Sequence, residues 1–380
     1  MKNLFKLVSV ILILCLVAYS CSTTDSSVVD VDLTREGGGR VLHVNELMTD
    51  VKLVKLETGE GHLIGGYYQL FVGEKYILTL MDKSILQFDI NGKFIRSLGR
   101  QGKGPGEFTG VGDYGVSPDE SKLYIYHWGK QDYLLGFDLN TGEILPLFKL
   151  PYKDIGEFFL ANDHILFHSR ESSTREIYTA TYEGELIDSL VNNYQVFYGS
   201  YAGRGHYMKA LDKELYYFQR ETDTLFILEG VEKIPAYNFK VNKRYDFESE
   251  LGGNLLMIQY QTDNKMYLTV SKMNVERKQN SVINRIERRS FYLFNPKDNT
   301  VENISGFYHD YFDLELDVIS ISNNGSNAYM KYSAVDFKEL LTEASENKKL
   351  DKAKAAELKL IDSQMNENDN PVLLIGRVAK

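Results

Sequence analysis

Seven histidines are the side chains in this 380-residue sequence best suited to carry a proton or ligate a metal near neutral pH. They are His43, His62, His127, His164, His168, His206 and His309. His164 and His168 stand four apart, but the residues between them, Ile165-Leu166-Phe167, read as strand. On a strand those two side chains share a face about 13 Å apart, too far for one ion to bridge. His62, His127 and His206 are therefore candidates only if a closed ring of strands gathers them near its axis. Trp128, the one tryptophan, would add a flat ring beside His127. A second candidate is the glycine-rich block Gly99–Gly106, where Arg100 and Lys103 could meet an anionic ligand. It lacks the spacing of a phosphate-cradling loop, and no helix follows it. Asp89-Ile90-Asn91 opens like a calcium loop, yet the sixth and twelfth positions hold Phe94 and Arg100, so these residues read as turn formers. No Gly-x-Ser-x-Gly occurs, and spacing along strands picks out no acid–base pair of carboxylates. The aromatic run Phe307, Tyr308, Tyr311 and Phe312, with Tyr194, Phe197, Tyr198, Tyr201 and Tyr207, fits either a sugar platform or core.

Positioning any of these residues falls to strands. In Ile85–Phe108, Ile85, Gln87 and Asp89 alternate with Leu86, Phe88 and Ile90, the period of a half-buried strand. Asn91-Gly92 then predicts a type I′ hairpin turn, and Phe94–Leu98 the return strand. Weaker copies follow at Leu134–Leu145, Tyr178–Leu190, Tyr216–Leu228 and Ser290–Ile304. A period of roughly 40–50 residues matches a four-stranded propeller blade. Val41–Leu56 and Val372–Val378 are expected to meet and close the ring. Val335–Gln364 has no Gly or Pro and is rich in Lys, Glu, Ala and Leu. It predicts a helical insertion over about 335–364, two helices broken near Asn347–Asp351.

Phe88–Phe108, read as F-D-x-N-G-K-F-x-x-x-x-G-R-x-G-x-G-P-G-E-F, resembles the signature of six-bladed β-propeller lipoproteins common in Bacteroidetes, which are similar to NHL-repeat proteins. Asn370-Pro371-Val372-Leu373-Leu374 near the end resembles that family too. The resemblance implies a six-bladed β-propeller and an envelope location; it carries over no catalytic residues.

Composition narrows the function classes. Met1–Ser20 has Lys2 and Lys6 and then the apolar run Leu7–Ala18, a signal-peptide layout. Ala18-Tyr19-Ser20-Cys21 resembles a lipobox, with Cys21 as the acylated residue. The region 21–40 reads as a tether and 41–380 as one propeller domain. Both cysteines, Cys15 and Cys21, lie in this leader region, which removes disulfides, thiolate nucleophiles and cysteine-held zinc from the body. The net charge of −10 argues against nucleic acid as a partner. These readings favour an outer-membrane-anchored binding or scaffold module for a glycan, peptide or protein, with no cofactor, acting as a monomer or as an accessory subunit of nutrient uptake. The alternative is a hydrolase or lyase with a metal-assisted site at the central channel.

Overall fold

The computed structural model describes residues 28–379 apart from 67, 82, 128–129, 154, 170–173, 192–206, 212–213, 221, 246–251, 279–280 and 347–349. Cys21, Trp128, His206 and the aromatics from Tyr194 to Tyr201 lie outside the described residues.

Among the described residues the strands form the six blades of a β-propeller. Blade 1 runs from the inner strand Gln69–Val72 through Tyr76–Leu80 and Ile85–Asp89 to Phe94–Leu98. Blade 2 comprises Val111–Val116, Lys122–His127, Lys130–Asp138 and Phe148–Lys149. Blade 3 comprises Ile155–Leu160, Ile165–Ser169, Arg175–Ala180 and Leu186–Val191. Blade 4 comprises Tyr207–Leu211, Glu214–Gln219, Thr224–Glu229 and Glu232–Lys240. Blade 5 comprises Gly253–Gln261, Met266–Lys278, Ser281–Asn295 and Thr300–His309. Blade 6 takes Ile321–Asn324, Asn327–Tyr332 and Val372–Val378 from the C-terminal end and its outer strand, Met48–Lys55, from the N-terminal end. That antiparallel seam, with Leu374 opposite Leu53, closes the ring as expected. Pairing the two ends of the chain leaves no open edge at the seam.

Three local expectations are corrected. The strand Ile85–Asp89 is not half-buried: four of its five residues are buried. Each blade is covered on both faces by its neighbours, so Gln87 sits fully buried and donates Nε2 to Leu139 O at 2.7 Å. The turn after it is not type I′. Only Gly92 has positive φ, at 86°, while the Asp89 carboxylate accepts from Asn91 N and Lys93 N. A Cβ on Gly92 would lie 2.2 Å from Lys55 O, so close approach as well as conformation selects glycine there. Lastly, the region 21–40 is not tether throughout. Val29–Asp32 adds a parallel strand to the edge of blade 4, and Arg40–His43 adds one to blade 5. Val31, Leu33 and Leu42 are buried there.

The helical insertion is present within blade 6 as α1, Ala334–Glu346, and α2, Lys352–Ser363. Phe337, Leu340, Leu341, Ala344 and Leu358 point inward and join the apolar core shared by blades 5 and 6. The aromatic run resolves in the same way, with Phe307 and Phe312 inside that core.

Candidate functional site

The inner strand of every blade runs in the same sense and ends in a tight turn to the second strand. In blade 1 the turn is closed by Gly73 N to Tyr76 O, in blade 3 by Ala161 N to His164 O, and in blade 5 by Thr262 N to Lys265 O. These turns, with those of blades 2, 4 and 6, surround an axial funnel with a cavity volume of about 1290 Å³. Residues of all six blades line it.

Side chains from one blade cap the backbone of the next around the rim. The Glu120 carboxylate of blade 2 accepts from Glu74 N at 2.5 Å, Lys75 N at 2.8 Å and Tyr76 N at 3.3 Å in blade 1. A Cβ on Gly73 would lie 2.4 Å from that carboxylate, so glycine makes room for it. Beside it, hydrogen bonds from Ser117 and Ser121 hold the Asp119 carboxyl down at about 2. Blade 6 reaches blade 1 through Asn324 Nδ2 to Val72 O, 3.2 Å, Asn327 Nδ2 to Gly73 O, 2.7 Å, and the Arg377–Glu74 pair, 2.8 Å. Blades 5 and 6 are joined by Asn323, which donates to Gln261 O at 2.7 Å and accepts from Gln261 N at 3.2 Å. From blade 4, Lys209 Nζ crosses to donate to Asn323 O at 2.8 Å and to its Oδ1. The rim is thus rigid, and Glu214, Asp263, Asn264 and Asn324 are among the polar residues that line the cavity.

Below the funnel's turns, two carboxyls stand on adjacent inner strands. Asp113 of blade 2 and Glu157 of blade 3 each follow a glycine at a bulge in the ladder to the second strand. Asp113 Oδ2 accepts from Phe158 N at 2.9 Å, which fixes it next to Glu157. Burial pushes the Glu157 carboxyl up to about 8; the neighbouring Asp113 adds to the rise, and Arg220 opposes it. Two like charges this close in a poorly hydrated site favour one holding a proton.

Of the candidates read from the sequence, Arg100, Lys103 and His127 lie at the other end of the disc. Val111, which begins the inner strand of blade 2, pairs with His127, which ends the second, so His127 is remote from the funnel. It is buried beside Tyr133, with ring centroids 5.4 Å apart. Arg100 lies at that end too, since the adjoining Gln101 N donates to Lys83 O in the turn between the second and third strands of blade 1. Its Nε meets Glu107 Oε1 at 2.7 Å, and Glu107 also accepts from Gly104 N at 2.8 Å. Lys103 is exposed on the same corner. The glycines there are structural: a Cβ on Gly99 would lie 2.9 Å from Gly106 O. Arg100, Lys103 and His127 do not converge on one pocket. His62 stacks on Phe94 at 4.2 Å, and His168 Nε2 lies 3.2 Å from the Tyr217 hydroxyl. Among the described residues no three His, Cys, Asp or Glu side chains come together as metal ligands would.

The funnel residues escaped the sequence reading. Which turn tips share the axis depends on the register of every blade, and no single stretch of sequence carries that information.

Comparison with known proteins bears on the fold. A crystal structure of a Bacteroides fragilis protein described as exported superposes with a TM-score of 0.67 at 15% identity, covering 93% of this chain and 100% of that one. BamB from Moraxella catarrhalis gives 0.43 at 14% identity, covering 76% and 86%, and the RRP9 WD40 repeats 0.44 at 10% identity, covering 87% and 99%. No curated protein matches. A family model described as "Domain of unknown function (DUF4934)" matches residues 27–377, nearly the whole chain, and the protein belongs to that family.

Proposed function

We propose that this protein is a cell-envelope binding module that takes a hydroxyl-rich ligand, the end of a glycan, in its axial funnel. One observation carries the reading: a cavity of about 1290 Å³ lined by residues of all six blades, with carboxylate and amide side chains among them. It exceeds the usual range for drug-sized ligands, about 300–1,000 Å³, and so has room for several sugar units. Carboxylate and amide oxygens at the rim suit hydroxyl donors, and the blade-to-blade caps hold them in place before the ligand arrives. The leader and Cys21 support attachment to a membrane by acylation, and the exported neighbour from Bacteroides fragilis is in keeping with an envelope location. Among the described residues no helix is long and apolar enough to cross a membrane. A role beside an outer-membrane nutrient transporter fits this arrangement.

A glycan array probed with the leaderless Cys21→Ser protein tests the reading. Binding should weaken at least tenfold in Asn324→Leu, which fills the rim with an apolar side chain. Undiminished binding would place the ligand elsewhere. In cells, Cys21→Ser should move the protein from the membrane to the soluble fraction.

A second reading, a hydrolase working in the channel, draws on Asp113 and Glu157. A carboxyl held protonated near neutrality beside a second carboxyl is a pairing that general acid–base catalysis can use. Release of shorter sugars from a bound glycan, abolished in Glu157→Gln, would favour it; intact ligand after prolonged incubation would not.

A further inference from the structure

We propose that Lys209 is the anchor for a carboxylate on the funnel's ligand, so that the preferred glycan presents an acidic sugar. The inference rests on the funnel being the ligand site. Lys209 lies on the inner strand of blade 4, two residues before the lip residue Leu211, and so about 7 Å below the rim. It is partly exposed, and its neighbours Ala210 and Leu211 line the cavity.

An ammonium has three hydrogens to donate and a charge to balance. Lys209 gives hydrogen bonds to Asn323 O and Oδ1, both uncharged acceptors. Among the described residues no carboxylate lies within ion-pair distance of it. The contrast is with Lys233 of the same blade, which is paired with Glu176 at 2.5 Å. Crowding by protein pushes Lys209 down to about 7, and a ligand carboxylate would restore its charged form.

A second feature marks the same layer as built for a polar guest. Asn323 is committed on its other side to the backbone of Gln261. The Gln261 side chain is fully buried, and both its amide atoms lack a hydrogen-bond partner among the described residues. Asn264 Oδ1, beside the cavity, is likewise without one. Buried polar groups are rarely left so. A uronic acid would place one carboxylate at Lys209 while its hydroxyls face the acceptor-rich rim. A peptide would bring a carboxylate but few hydroxyl donors.

The test is titration calorimetry with trigalacturonate, neutral galactotriose and a tripeptide with a free C-terminal carboxylate. Wild type, Lys209→Met, Lys209→Arg and Asn324→Leu are compared after thermal melts confirm folding. Trigalacturonate should bind at least tenfold more tightly than galactotriose. Lys209→Met should lose that preference, and Lys209→Arg should keep most of it. Equal affinity for the two sugars, or a preference that survives in Lys209→Met, overturns the anchor; if galactotriose binding still depends on Asn324, the funnel reading stands alone. Sugar binding indifferent to Asn324→Leu overturns both. Lys209-dependent binding of the tripeptide alone, or no binding of either sugar, overturns the acidic-sugar assignment.

Discussion

The two ends of the disc are built differently. At the funnel end the inner strands turn back through short, tightly bonded turns, and Glu120, Asn324 and Asn327 tie them to the next blade's backbone. At the opposite end the chain is elaborated. It carries the α1–α2 hairpin, the glycine corner around Arg100, and a two-stranded ribbon. In that ribbon Asn274–Lys278 pairs only with Ser281–Arg285, beyond the last register with the inner strand at Gly253–Met273. Insertions are tolerated where they project into solvent. At the funnel end extra residues would fill the cavity. The short end is accordingly the rigid one, and rigidity is what a preorganised site requires.

Mutations at each end should separate these roles. The largest loss of stability is expected at the elaborated end. Phe337→Ala, in a fully buried position, should cost about 3–4 kcal/mol in denaturant unfolding while leaving ligand affinity nearly unchanged. Glu120→Ala should cost about 2–3 kcal/mol, since three backbone N–H groups lose their acceptor. Unlike Phe337→Ala it should also weaken ligand binding; equal binding losses in both would erase the distinction between the ends.

Glu157 gives a pH signature to the inner strands between them. Its folded value is raised to about 8 from an ordinary 4.5. The stability it contributes is therefore complete below about 4.5 and is lost as pH rises through 8. Glu157→Gln should flatten that slope and leave the protein more stable than wild type at pH 8.5, by something on the order of 2 kcal/mol once water in the channel is allowed for. Parallel pH profiles for the two proteins would show that the carboxyl is not strained by its setting. The smallest effect is expected from Arg100→Ala: the Arg100 side chain is 83% exposed, and denaturant titration should resolve no change.

The architecture was readable where the signals are local. Asn91-Gly92 between apolar runs located a hairpin, and a stretch without Gly or Pro located α1 and α2. Val372–Val378 closed the ring because its apolar run needed a partner. The edge strand Val29–Asp32 was missed, and Val41–His43 was assigned to the ring seam when it pairs with blade 5, because each is short, carries polar residues, and pairs in parallel with a partner more than two hundred residues away, as Val29 does with Tyr237. The funnel was illegible for the same reason. Lys209 and Asn323 meet across 114 residues and two blades, and nothing near either one announces the other. The residues that did draw attention, Arg100 and Lys103, stand out because the corner needs glycines, and its cations are incidental to that need.

Amide hydrogen exchange, with and without a glycan selected on the array, tests most directly the claim that the funnel end binds. The account predicts slowed exchange at Glu74–Tyr76, Ser121–Lys122 and Asn324–Asn327, with the glycine corner and α1–α2 unchanged. Protection confined to the corner and helices, with those turns unaffected, would contradict it.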